Sequence, residues 1–193
     1  TGRAVGAPAT ASTGSCASSS PMSNPAAGAS WNGWGAGVSN ARFQPANKGG
    51  LTAADVPKLT LKWAFGFPGV LAARAQPAVT AGRLFAASET GTVYALDAKT
   101  GCTHWTFRAE AAVRSAPTVG PYKSASGATS GATRYAVYFG DARANAYAVD
   151  ADTYAVVRGP EVVSYDGPAG GYGLGVIGTS VYEWDSKLAV NDV

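Results

Sequence analysis

The chain has little of what most catalytic centres are built from. Of its 193 residues one is His, one is Met and two are Cys. With His104 as the only candidate base and no G-x-S-x-G elbow, hydrolysis through an activated serine is not expected. Cys16 and Cys102 stand 86 positions apart, which rules out a CxxC zinc or redox motif. The stretch "CTHW" at 102–105 is not a haem-attachment motif either, because C-x-x-C-H needs two thiols. Charged residues make up only 14% of the chain, and the Arg and Lys behind its net charge of +3 are spread singly. Without a basic run or a basic helix, nucleic acid is not an expected partner. No apolar stretch reaches the roughly 18 to 20 residues that cross a bilayer, so no membrane span is expected. Residues 1–8 have no apolar h-region, and the sequence reads as a mature or cut piece.

What is there is a repeat. "LFAASETGTVYALD" at 84–97 and "VYFGDARANAYAVD" at 137–150 each write an apolar run, a small polar turn and Tyr-Ala-(Leu/Val)-Asp, 53 positions apart. A segment that recurs at a fixed offset is one structural unit used more than once. The first unit predicts strands at 76–80, 83–88, 92–97 and 103–107, separated by "AG", "ETG" and "AKTGC", each with the Gly that a tight hairpin needs. The second runs through "APTVG", "RYAVYFG", "NAYAVD" and "YAVVRG", with a Ser, Gly and Thr rich surface loop inserted at 122–133. A third unit is expected from about residue 161, where "GTSVYEWD" at 178–185 echoes "GTVYALD" at 91–97. A sandwich of about seven strands has similar turns. Recurrence of the entire four-strand unit favours propeller blades. The expected fold is therefore all-β, a partial β-propeller with blades at about 72–110, 111–160 and 161–193.

Upstream, residues 1–30 form an Ala, Ser, Gly and Pro rich arm or linker, expected to be flexible unless Cys16 ties it down. The two cysteines are either buried thiols or one long-range disulfide of an oxidising compartment. A disulfide closing so long a loop stabilises by about 4 to 5 kcal/mol in the chain-entropy model. "WNGWGAGVSNARFQP" from Trp31 reads as an ordered, irregular lead-in. Thr52 and Asp55 resemble a capping box and predict a short helix near 52–56 that Pro57 stops. Leu59, Leu61, Trp63 and Phe65 alternate with period two, the pattern of a strand with one buried face.

Several polar residues have a structural reading. Asp97 and Asp150 end the third strand of their units, where a short carboxylate caps the turn that follows. Glu89, Asp141, Asp166 and Glu183 lack the close pairing that general acid and base work requires. "GPAGGYGLG" at 167–175 follows no strand-turn-helix unit and is a loop, not a dinucleotide fingerprint. Trp63 and Trp105 suit blade-locking core positions; Trp31, Trp34 and Trp184 are open to core or stacking roles.

"WNGWGAGVSNARFQP", "GGLTAADVPKLTLKWAFGFPG", "GRLFAASETGTVYALDAKTGCTHWTF" and "AVYFGDARANAYAVDADT", over about residues 31–153, resemble the pyrroloquinoline-quinone-dependent dehydrogenases, and most closely the polyvinyl-alcohol dehydrogenase branch. The resemblance implies an eight-bladed propeller locked through the last-strand Trp of each blade, here Trp63 and Trp105. It implies a periplasmic or secreted alcohol-oxidising enzyme that holds the quinone (PQQ) beside Ca²⁺ over the central channel and passes electrons to a cytochrome c. The segments leading to the innermost strands, "AARAQP" at 72–77 and "AAVRSAP" at 111–117, then place Arg74 and Arg114 as candidate partners of the cofactor's carboxylates. Gln76 and Ser115 are their neighbours in the candidate site.

The sequence also departs from the family. At the 53-residue offset Trp105 is replaced by Arg158, and at most three blades are encoded, fewer than a closed ring needs. Residues for the catalytic base and the Ca²⁺ ligands are not recognised. The chain as given is therefore expected to be inactive alone and to require further blades of the same enzyme or a homo-oligomer. The alternative to an enzyme is a non-catalytic propeller-type binding or assembly module that completes itself by oligomerisation.

Overall fold

The computed structural model describes residues 14–36, 39–122 and 133–162. Two four-stranded antiparallel sheets account for nearly all regular structure. The first orders β1 (Ala78–Thr80), β2 (Arg83–Ala87), β3 (Thr92–Asp97) and β4 (Thr103–Arg108) side by side in chain order. The second does the same with β5 (Thr118–Tyr122), β6 (Arg134–Gly140), β7 (Asn145–Asp150) and β8 (Val156–Val162). These are the strands that the repeat predicts, and the partial β-propeller follows from how the two sheets sit. Residues 163–193 of the expected third blade and 123–132 of the surface loop fall outside the described residues; 161 and 162 belong to β8.

Register carries the 53-residue offset into three dimensions. Ala95 stands opposite Trp105 in the first sheet, and Ala148 stands opposite Arg158 in the second. The sheets pack face to face through one core that includes Phe85, Val93, Trp105 and Phe107 from the first and Val137, Phe139, Tyr147 and Val149 from the second. Phe107 meets Phe139 and Tyr147 edge-on at 5.7 Å, and the latter two stack at 5.0 Å. Such aromatic pairs contribute about 0.5 to 1.5 kcal/mol beyond their burial. On the opposite face of the first sheet Phe65 and Phe67 lie 5.2 and 5.4 Å from Tyr94. Covered on both faces, β3 is buried at every position from Thr92 to Leu96, as a middle strand of an interior blade must be.

The innermost edges are β1 and β5, and the lead-in seals both. Trp31 pairs its backbone N–H and C=O with Val79 of β1 at 2.8 Å each. The next residue, Asn32, imitates a strand with its side chain. Its amide donates to the Val119 carbonyl at 2.7 Å and accepts from the Val119 N–H at 2.8 Å. Open edges invite pairing with other chains, and these contacts satisfy two of them.

The arm is tied down at Cys16, the condition that the sequence left open, although most of its residues from 14 to 30 stay exposed. Cys16 is joined to Cys102, Ser15 bridges Thr103 in parallel, and Met22 is buried in the core, so its contacts offset the entropy of ordering it. Two expectations are corrected. Residues 59–65 alternate as read but form no strand. Trp63 and Phe65 turn toward the first sheet while Leu59 and Leu61 are exposed, because among the described residues nothing pairs with this backbone. The short helix near 52–56 is a 3-10 turn at Val56–Lys58 with Pro57 in its first positions. Thr52 and Asp55 do bond to each other, Thr52 donating from both N–H and Oγ to the Asp55 carboxylate. A further turn of helix, α1 (Ala46–Gly49), was not anticipated; Gly50 closes it at φ 69°.

Candidate functional site

Antiparallel alternation puts the segment leading into the first strand of a sheet and the turn between its second and third strands at the same end. At that end the candidate residues gather. Arg74 leads into β1 and Arg114 into β5, and between them rises the turn Ser88–Gly91 that joins β2 to β3. The turn is pinned on both sides: Glu89 N–H donates to the Ala72 carbonyl, while Ala109 and Val113 donate to the carbonyls of Gly91 and Ser88. Gly91 is required there. At φ 82° a Cβ would sit 2.4 Å from the Ala111 carbonyl oxygen, a backbone atom that cannot give way.

Glu89 at the tip takes both guanidinium groups. Arg114 binds it side-on, Nε at 3.2 Å from both carboxylate oxygens and one Nη at 3.0 Å. Arg74 approaches the other side through Nε at 3.3 Å. The Arg74 and Arg114 side chains are 67% and 49% exposed against 20% for Glu89, so two cationic groups face solvent around one sheltered carboxylate. The other two candidates are engaged elsewhere. Gln76 accepts from the Gly35 N–H at 3.2 Å, tying the lead-in to the approach to β1. Ser115 both donates to and accepts from the backbone of Gly140, at 2.9 and 2.7 Å, and holds the end of β6.

Asp141, which follows β6 and stands 53 residues after Ser88, is a buried hub at the same end. Its carboxylate accepts from the Tyr147 hydroxyl at 2.8 Å, from the Asn145 side chain at 3.0 Å and from the backbone of Ala111, Arg143 and Asn145. Burial pushes this carboxyl up, and the hydrogen bonds from Asn145, Tyr147 and the backbone outweigh it, leaving the group below its ordinary value. A carboxylate so fully satisfied is a structural pin and not a free base.

The opposite end holds the locks. Asp97 Oδ1 accepts from the N–H groups of Lys99 and Thr100 and from the Thr100 hydroxyl; Asp150 Oδ1 accepts from Asp152, Thr153 and the Thr153 hydroxyl. On these two matching turns the tryptophans dock. Trp63 Nε1 donates to the Ala98 carbonyl at 3.3 Å and its ring lies on Gly101, where a Cβ would come within 2.7 Å. Trp105, 4% exposed, donates to the Ala151 carbonyl at 2.8 Å, and its ring tilts against Tyr154 at 6.4 Å. Beside it the buried Arg83 pairs with Asp152 at 2.8 Å and donates to Ala151, Ser19 and Ser20. His104 is sheltered nearby, its Nε2 3.8 Å from Asp97; burial and then Arg83 hold its pKa below the ordinary value. Trp34 is half exposed under the Arg42 guanidinium at 5.7 Å. Asp166, Glu183 and Trp184 lie outside the described residues.

This architecture has known counterparts. The family model described as the glucose/ethanol/alcohol dehydrogenase (PQQ) beta-propeller domain matches residues 31–159. The chain belongs to this family. Two relatives named polyvinylalcohol dehydrogenase are similar to it: one from Pseudomonas sp, 50% identical over 123 residues, and one from Sphingopyxis sp. (strain 113P3), 40% identical over 160. Those matches cover 64% and 83% of this chain but only 18% and 22% of the relatives, so the chain spans about a fifth of their length. The crystal structure of the quinohemoprotein alcohol dehydrogenase from Comamonas testosteroni aligns with a TM-score of 0.52 at 22% identity, covering 67% of this chain and 19% of that one. That likeness supports the fold.

Sequence reasoning named both arginines and Glu89 but did not bring the three together. The signal was present in "SETG": a second-to-third strand turn returns to the end where each innermost strand begins, and its acidic residue sits one hairpin after Arg74.

The donor set at this end fits the carboxylates of a quinone cofactor: two guanidinium groups on side chains half or more exposed, beside one carboxylate, leaving a surplus of positive charge. It does not fit Ca²⁺. Among the described residues no group of three or more His, Cys, Asp or Glu could hold a metal ion.

Proposed function

We propose that the chain forms part of a quinone-dependent alcohol dehydrogenase acting on polyvinyl-alcohol-like substrates, in which Arg74 and Arg114 bind carboxylates of pyrroloquinoline quinone. The observation that carries this reading is the pair of outward-facing guanidinium groups at the head of two adjacent innermost strands, in a chain of this family. When bound, the quinone is the acceptor of the two electrons and the hydrogen leaving the alcohol carbon. The residues of this chain bind and orient it, and their positive charge favours the reduced, more anionic form. Gln76 and Ser115 contribute by fixing the backbone on which the arginines stand. Electron delivery to a cytochrome c and a periplasmic or secreted location belong to the same proposal; the Cys16–Cys102 disulfide supports an oxidising compartment. The blades at about 72–110 and 111–160, with a third at 161–193, would be completed by further blades of the same enzyme.

The test is oxidation by the natural protein, purified without refolding and reconstituted with the quinone and Ca²⁺. Electron transfer from polyvinyl alcohol or a simple secondary alcohol to cytochrome c or a dye is expected only with the quinone added. No quinone-dependent oxidation of any alcohol would reject the reading.

A specific observation favours the second reading, a non-catalytic module that closes its ring as a homo-oligomer. In the second blade Tyr154 stands where the lock of the first has Gly101, and Arg158 stands where the first has Trp105. Assembly of the natural protein into a ring with no redox activity is the outcome that this reading predicts.

A further inference from the structure

We infer that Glu89 is a positioning residue for the cofactor site: it grips Arg74 and Arg114 by their Nε sides so that their outer forks bind two carboxylates of one polycarboxylate ligand. The inference rests on the quinone reading above. An arginine has two faces that suit a carboxylate, the side face of Nε with one Nη and the end face of the two Nη groups. Glu89 occupies the side face of Arg114, through Nε and one Nη, and meets Arg74 at Nε. Neither arginine has another partner among the described residues. Their end faces therefore remain to the outside, on side chains that are half or more exposed.

Glu89 is itself held. Its turn is bonded to both approach segments, through Ala72 before Arg74 and through Ala109 and Val113 before Arg114, and Gly91 lets that turn press against Ala111. A flexible pair of exposed arginines would lose side-chain freedom on binding; a pair already gripped by one anchored carboxylate loses less. Two oriented forks also select for ligand geometry. A ligand with two or more carboxylates engages both, and one whose carboxylates are masked engages neither.

The experiment measures equilibrium binding of pyrroloquinoline quinone and of its trimethyl ester to the natural protein, by calorimetry, for wild type, Glu89→Gln, Glu89→Asp and the double variant Arg74→Gln/Arg114→Gln. Expected is about tenfold weaker binding of the quinone to Glu89→Gln and about a hundredfold to the double variant, as losing one or two charge-assisted contacts would give. Binding of the ester should be the same in all four proteins, and Glu89→Asp, which keeps the charge, should recover part of the loss. Unchanged ester binding and an unchanged thermal midpoint would separate positioning from a folding defect. If the double variant weakens binding while Glu89→Gln leaves it unchanged or tightens it, Glu89 is a competitor for the arginines; the positioning role is then overturned and the quinone reading stands. If wild type does not prefer the quinone to its ester, or the double variant binds as wild type does, the quinone reading of the arginines fails and the positioning role with it.

Discussion

The two blades are copies of one design with different locks. Each has an aspartate-capped turn closed by the same backbone bond, Gly101 N–H to the Asp97 carbonyl at 2.8 Å and Tyr154 N–H to the Asp150 carbonyl at 2.9 Å. The residue that closes the turn is left-handed in both, at φ 76° for Gly101 and 53° for Tyr154. Glycine accepts that conformation freely, whereas a tyrosine costs about 1 to 2 kcal/mol. The first turn uses its missing side chain to seat the Trp63 ring; the second fills the same place with an aromatic side chain and seats Trp105 against it. The capped turn recurs because backbone geometry demands it, while the docking surface is free to diverge. The edges diverge as well: the outer strand of the first blade is stapled by Cys102, and Ala155 stands at the matching position of the second.

Truncating the locks should separate the two blades most clearly. Trp105→Ala removes a fully buried ring and its hydrogen bond and is expected to cost about 3 to 5 kcal/mol in chemical denaturation. Trp63→Ala, at a half-buried ring, should cost less than half as much. Equal losses would mean that the two docking sites are equivalent despite Tyr154.

Removing the staple comes next. Cys16→Ser should cost about 2 to 4 kcal/mol, less than the chain-entropy figure because the arm keeps its contacts through Met22, Ser19 and Ser20. Reductant should destabilise the wild type and leave the variant unaffected. A variant as stable as the wild type would show that those contacts hold the arm without the disulfide.

Exchanging the turn residues sharpens the comparison further. Gly101→Ala should cost about 2 kcal/mol, since it adds a Cβ against the Trp63 ring at a left-handed position. Tyr154→Gly should stay within about 1 kcal/mol of wild type, relief of the backbone offsetting the lost aromatic contact. A large loss at Tyr154 would make that contact the lock itself.

The repeat was legible because strands of period two between glycine turns leave a local signal, and all eight strands follow it. Other parts depend on contacts that no local pattern holds. The 59–65 segment has the alternation of a strand, yet pairing is a property of its neighbours. The arm looks like linker by composition, and the points that hold it, one disulfide, the buried Met22 and a bridge to Thr103, leave no mark in that composition. Glu89 carries no motif, and only the folding back of β2 and β3 sets it between two arginines 40 positions apart.

Acid should act on the second blade before the first, the smallest of these effects. Asp141 and Asp150 are both buried, and both carboxyls are held below 3.8: burial raises them and hydrogen bonds outweigh it, for Asp150 those from Tyr122 and Thr153. A depressed folded value means that the unfolded chain binds more protons, so this stability is present above about pH 4 and lost as pH falls through the folded values. Asp97 is also lowered, chiefly by its bond from Thr100, but it is partly exposed and its share is smaller. Hydrogen exchange near pH 3 should therefore open residues 151–155 ahead of 98–102. The reverse order would remove the distinction.

The most direct test of the central claim is a structure of the natural protein with the quinone bound. The account predicts the cofactor at the end of the sheets where β1 and β5 begin, two of its carboxylates within hydrogen-bond distance of the Arg74 and Arg114 forks and Glu89 still between them. A cofactor bound elsewhere, with both arginines facing solvent, would contradict it.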